Sequence, residues 1–169
     1  KGTKGAITAF ARIQTRVPMA HLWIVGSDSD GYRSELVSFT QELGVTTKVR
    51  FFGRVSEDKK FELLARAHIL LMPSVHEGWG LTVSEASSQG TPAVGYKTAG
   101  VQDVIVHDKT GILVAPEQPE ELATETLKLW NDRQRYKRYQ EAGKLRAASM
   151  NWDDTARVAL TVLRQTYET

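Results

Sequence analysis

Glu77 and Glu85 stand either side of a glycine-broken turn in Pro73-Ser74-Val75-His76-Glu77-Gly78-Trp79-Gly80-Leu81-Thr82-Val83-Ser84-Glu85-Ala86, which runs on to Gly90-Thr91-Pro92. An ionised carboxylate only accepts hydrogen bonds, so two of them beside a turn suit a ligand rich in hydroxyls. The flanking residues suit an anion as well. His68-Ile69-Leu70-Leu71-Met72 is a short apolar run ended by Pro73 and reads as a buried strand. Gly78 and Gly80 bracket Trp79 and let a ligand approach the main chain closely. From Leu81 to Gln89 the residues suit a helix, with Gly90 as its left-handed cap and Pro92 just beyond. Leu81 and Thr82 then fall at a helix N-terminus, where free N–H groups and the helix dipole favour negative charge.

Glu85 lies about one turn into that helix. Ordinary helix-end electrostatics would explain a carboxylate there. The functional reading is that it accepts hydrogen bonds from a ribose cis-diol, each worth roughly 1.5–3 kcal/mol to a charged acceptor. Glu77 sits in the loop near the expected anion, a poor place for a carboxylate unless sugar hydroxyls supply donors. Singly, each glutamate favours the bland explanation. Together, the strand, glycine turn, helix and spacing point to a ligand carrying both phosphate and several hydroxyls. A nucleotide-activated sugar is such a ligand.

Composition narrows the class. A length of 169 residues is enough for one α/β core. The lack of cysteine excludes disulfides and thiolate metal sites. No apolar run approaches membrane-spanning length and no signal peptide is visible, so a cytoplasmic location is expected. A net charge of +2 does not argue for nucleic acid. The histidines show no ligand spacing, and His76 reads as a solvent-exposed or packing residue.

The elements that must position the turn alternate along the chain. Periodicity predicts helices over residues 4–15, 31–43 and 57–66, with Gly44 ending the second. Strands are predicted over 21–25, 49–52, 68–72, 92–96 and 112–114. Such alternation implies a parallel sheet covered on both faces. The binding crevice belongs at the carboxyl ends of the strands, where the turn after residue 72 falls. Pro119 starts a later helix with Leu122, Ala123, Leu127 and Trp130 facing inward. Asn151 is expected to cap a last helix striped by Trp152, Ala156, Ala159, Leu160, Leu163 and Tyr167.

The central segment resembles the Glu-x7-Glu signature of the family-4 (group 1) retaining glycosyltransferases of the GT-B fold. Phe51-Phe52-Gly53-Arg54-Val55 resembles that family's strand-glycine loop, and Thr98-Ala99-Gly100-Val101-Gln102-Asp103-Val104-Ile105 resembles its Gly-Gly-x-x-Glu turn. Asp108-Lys109-Thr110-Gly111-Ile112-Leu113-Val114 resembles its Asp-Gly-x-Thr-Gly strand. Lys1-Gly2, followed by Ala6, Ile7, Ala9 and Phe10, resembles the opening of its first C-terminal-domain helix. Ala99 and Asp103 depart from the usual Gly and Glu, and Asp103 is expected to cap a helix or meet the sugar. The resemblance covers nearly the whole chain. It implies a Rossmann-like three-layer αβα domain, one half of a GT-B fold, over residues 1–169. It also implies an absent first strand, an absent N-terminal acceptor domain, and a last helix whose stripe needs a partner outside this chain.

The resemblance further implies roles. Glu77 is the catalytic candidate, holding donor sugar hydroxyls and supporting the leaving group. Lys1 would contact the donor diphosphate as a point charge. The amides of Gly78, Trp79, Gly80, Leu81 and Thr82 would line sugar and phosphates. Glu85 would hold the ribose, and Arg54 and Val55 would sit near the base. The implied reaction is retaining transfer of a sugar from a nucleoside diphosphate sugar to a glycan, lipid or small-molecule acceptor bound by the absent half. No metal and no other cofactor is expected. Two rivals stand beside this reading: a non-catalytic nucleotide-sugar-binding module, and a GT-B sugar-nucleotide epimerase that shares the fold, although Glu-x7-Glu in this context favours transfer. Arg133, Arg135, Lys137, Arg138, Lys144 and Arg146 make a basic helix that reads as a solvated face, with peripheral membrane contact left to the whole enzyme.

Overall fold

A computed structural model describes residues 2–27, 31–150 and 152–167 of the chain. Helix α1 (Thr3–Arg16) leads into β1 (Leu22–Val25), α2 (Tyr32–Glu42) and, after a short 3-10 turn, β2 (Val49–Gly53). Next come α3 (Glu57–Arg66), β3 (Leu70–Met72), α4 (Leu81–Ser88), β4 (Ala93–Tyr96), α5 (Val101–Val104) and β5 (Gly111–Val114). Helices α6 (Pro119–Asn131), α7 (Arg133–Ser149) and α8 (Trp152–Tyr167) follow.

Local chemistry accounts for most of these bounds. Ser56 Oγ accepts the Lys59 N–H and caps α3, whose first turn carries Glu57 and Asp58. Pro119 opens α6 at a position that needs no N–H. Asp132 Oδ1 accepts the Arg135 N–H at 2.9 Å and caps α7. Gly90, at φ 80°, ends α4 and donates to Ser87 O, as its place in the sequence predicts.

All described strand pairs are parallel. β1 lies beside β2 with Leu22 opposite Val49. β4 lies between β3 and β5, with Ala93 opposite both Leu70 and Gly111. The two groups are separate sheets, β1-β2 and β3-β4-β5, and among the described residues no strand joins β1 to β3.

The strand alternation divides the core between faces. Val94, Tyr96, Ile112 and Val114 pack against Ala9 and Ile13 of α1, Leu122, Ala123 and Leu129 of α6, and Tyr139 of α7. Ala93, on the opposite face, packs with Val83 of α4 and Val101, Val104 and Ile105 around α5. A third cluster sets Ile7 and Phe10 of α1 against Leu36, Val45 and partly buried residues of β1 and β2. Helix α1 therefore packs on both sheets with two of its faces. The result is the expected αβα layering.

One expectation needs correction. Trp130 is 44% exposed rather than turned inward. It ends α6 and meets His68 edge-on at 5.3 Å between centroids, a contact at the rim of the core. The described part of the α8 stripe, Ala156, Ala159, Leu160 and Leu163, is exposed along with Val158 and Val162. Asn151 and the side chains of Trp152 and Tyr167 lie outside the described residues. No helix among those described is long and apolar enough to cross a membrane.

Candidate functional site

The chain leaves the carboxyl end of β3 through buried Pro73 and Ser74 and crosses residues 75–80 to α4. Gly80 is the N-cap of α4, in the left-handed region at φ 69°, ψ 40°. A glycine has no side chain to cap the helix, so the first amides of α4 keep their donor capacity, apart from the Val83 N–H bonded to Gly80 O at 2.8 Å. Gly78, Trp79, Leu81 and Thr82 are exposed around this helix end. The expected glycine turn into a helix is therefore present, with these residues exposed beside an uncapped helix end.

Two neighbouring segments brace the loop. Thr98 Oγ1 donates to Ser74 O at 2.8 Å. A Cβ on Gly100 would meet Glu77 O at 2.3 Å, so that turn packs directly on the site loop. Asp103 Oδ2 accepts the Gly100 N–H at 3.2 Å, so Asp103 caps α5, one of the two roles expected of it. From the other side, a Cβ on Gly2 would lie 1.8 Å from Pro73 O. The start of α1 thus adjoins the start of the loop. Lys1 lies outside the described residues.

The two glutamates differ in their holding. Ser74 Oγ donates to Glu77 Oε2 at 3.1 Å. Lys60 Nζ, from α3, donates to Glu85 Oε1 at 2.7 Å and also pairs with Glu57 at 2.8 Å. Hydrogen bonds to Glu57 and then Glu85 hold the Lys60 ammonium above its ordinary pKa. Arg54 and Val55 follow Gly53 at the end of β2 and lead directly into α3. The Lys60–Glu85 contact ties the first turn of that helix to α4.

Sequence reasoning passed over Lys60 and Ser74, since neither stands in a spacing pattern that marks it. It also passed over Asp28-Ser29-Asp30, an Asp-x-Asp triplet that lies outside the described residues. Among the described residues no cluster of three or more His, Asp or Glu side chains could hold a metal. An open concavity of about 560 Å³ lies elsewhere, between Arg16 of α1 and Thr124, Leu127 and Lys128 of α6. It gathers none of the loop residues. The basic helix α7 is partly consumed in packing: Arg146 donates to the carbonyls of Asp103 and Val104, and Arg135 pairs with Asp108.

The family model described as Glycosyl transferases group 1 matches residues 1–146. An uncharacterized glycosyltransferase of Methanocaldococcus jannaschii is 36% identical over 123 residues, covering 73% of this chain and 31% of that protein. A GDP-mannose-dependent α-(1-6)-phosphatidylinositol monomannoside mannosyltransferase of Mycobacterium tuberculosis is 30% identical over 172 residues, covering 97% of this chain and 44% of that protein. The crystal structure of Anabaena HepE in complex with UDP superposes with a TM-score of 0.86 at 25% identity, over 97% of this chain and 45% of that one. The chain thus spans less than half the length of each of these three proteins.

Proposed function

The chain belongs to the group 1 glycosyl transferases, and from that membership we propose that it is the donor-binding half of an enzyme that transfers a sugar from a nucleoside diphosphate sugar with retention of configuration. The observation that carries the proposal is the uncapped N-terminus of α4, on a loop leaving the carboxyl end of β3, with Glu77 in the loop before it and Glu85 one turn into the helix. A helix end for the diphosphate and a carboxylate on each side for hydroxyls match the two halves of such a donor.

In this reading Glu85 binds the ribose, Arg54 and Val55 flank the base, and the amides from Gly78 to Thr82 line sugar and phosphates. Glu77 holds the donor sugar. The bond from the sugar's anomeric carbon to the diphosphate breaks and the bond to the acceptor oxygen forms on the same face, as retention requires; negative charge develops on the leaving diphosphate, which takes up the acceptor's proton. The positive end of α4, with Lys1 as the cation, stabilises that charge more than it stabilises the ground state. No protein-bound metal takes part in this proposal. HepE is found in complex with UDP, and the Mycobacterium tuberculosis enzyme is GDP-mannose-dependent; a nucleoside diphosphate and a nucleoside diphosphate sugar support the ligand class. The break between the two sheets supports a second part of the proposal. In it, β2-β1 and β3-β4-β5 flank one shared strand supplied by other polypeptide, as in a doubly wound sheet.

Calorimetric titration with UDP, GDP and ADP tests the reading, with Glu85→Gln as control. Saturable binding of one nucleotide, lost in the variant, is the expected result. Equal affinity in the variant removes the ribose assignment, and a folded chain that binds none of the three removes the donor-binding reading.

A further inference from the structure

The geometry points to Lys60 as a positioning residue that presents the Glu85 carboxylate to the donor's ribose, an inference that rests on the donor-binding reading above. Lys60 lies in the first turn of α3 and Glu85 in α4, so the pair joins two elements rather than two turns of one helix. Nζ stands 2.7 Å from Oε1, and both side chains are only 24% exposed. Ion pairs in open solvent contribute little because long side chains must be ordered against screening water. This pair is half-shielded, and its other partner, Glu57, comes from the same turn of α3 and is well exposed.

The division of oxygens is the informative detail. Lys60 takes Oε1, and Oε2 of Glu85 accepts no hydrogen bond from the described residues. A carboxylate offers about four lone-pair sites. One is used by the ammonium, and the whole of Oε2 is left for a vicinal diol. A glutamate unattached at its tip must lose several side-chain rotamers when it binds a ligand. With Oε1 fixed in advance, less of that ordering falls on the binding step. Lys60 thereby acts on the ribose through Glu85 without touching it.

The test crosses a variant with a ligand pair. The full chain, wild type and Lys60→Met, is titrated with the nucleoside diphosphate it binds and with the 2′,3′-dideoxy form of the same nucleotide. Methionine keeps the apolar stem and removes the charge. The expected result is a loss of about tenfold in affinity for the ribose form, with affinity for the dideoxy form unchanged. Lys60→Arg recovers part of the loss, and Glu57→Gln, which leaves the Lys60–Glu85 contact in place, changes neither ligand. Equal loss for both ligands overturns the inference, because Lys60 then acts on the diphosphate or on the fold. No loss for either overturns it as well. A wild-type chain that binds both forms equally removes the ribose role of Glu85 itself, and the Lys60 inference falls with it.

Discussion

Ser74 Oγ donates to Glu77 Oε2 at 3.1 Å from a residue only 1% exposed. The hydroxyl is held at the foot of the loop, where the Ser74 carbonyl is itself bonded by Thr98. A buried donor with a fixed backbone sets the direction of the carboxylate above it. Ser74→Ala should lower sugar transfer by the complete enzyme roughly fivefold, the worth of one net hydrogen bond of about 1 kcal/mol. Affinity for the bare nucleoside diphosphate should stay unchanged. Steady-state transfer beside calorimetry checks both, and a parallel fall in the two would mean that Ser74 only maintains the loop.

Glu77 itself should show a sharper split. In the proposed reading it touches the sugar and not the nucleotide. Glu77→Ala is expected to cut transfer on the order of a hundredfold, as when charged hydrogen bonds made at the reacting centre are lost. Nucleoside diphosphate affinity should move by no more than about threefold. Equal losses in the two measurements would make Glu77 a structural residue.

The sequence carried the frame of this site because its signals are local. The periodicity over 57–66 matches α3 at both ends, and Gly90 with Pro92 marked the end of α4. Residues that depend on how elements lie together were not legible. Lys59 and Lys60 are adjacent in sequence, yet Lys59 pairs with Glu62 on its own helix while Lys60 reaches Glu85, 25 residues away. Only the approach of α3 to α4 separates them. β3 begins at Leu70 and not at His68 for a similar reason. The His68 carbonyl accepts the Tyr136 hydroxyl of α7 at 2.7 Å, and its ring packs on Trp130. The apolar pattern 68–72 cannot encode either partner.

Asp108 allows a pH prediction away from the site. The Tyr139 hydroxyl holds its carboxyl below the ordinary range; burial opposes this as the next largest effect, and the Arg135 guanidinium adds to the lowering. A depressed folded-state pKa adds stability that is present above the unfolded value of about 3.9 and lost as pH falls through the folded one. Asp108 has φ 59°, a conformation that asparagine tolerates, so Asp108→Asn removes charge with little added strain. Its side chain is 57% exposed, and screening limits the effect at pH 7 to at most about 1 kcal/mol. Thermal unfolding should show the variant less stable at pH 7, with the gap closing below about pH 4. A gap that stays constant with pH would assign the loss to packing.

Two glycines of the loop region should separate fold from function. Gly100 has φ 78°, and a Cβ there would stand 2.3 Å from Glu77 O and 2.9 Å from the Gly78 carbonyl carbon. Gly100→Ala must therefore strain the backbone and push the site loop away. A loss of about 3 kcal/mol is expected, lowering the melting temperature by roughly 10 °C. Gly78 is the opposite case: it has no positive φ, and a Cβ there would meet nothing within 4 Å. The fold gives no reason for glycine at that position. In the proposed reading the reason is the ligand, which lies against the main chain there. Gly78→Ala should keep its melting temperature within about 1 °C and lose about tenfold in affinity for the donor sugar nucleotide. Gly80 cannot serve in its place, because it already has φ 69° and a Cβ there would lie 3.3 Å from Gly100 O, so any side chain strains the protein before a ligand arrives. Calorimetry and thermal unfolding on the same two alanine variants decide the matter. Full donor affinity in Gly78→Ala would sink the close approach of ligand to backbone at this turn.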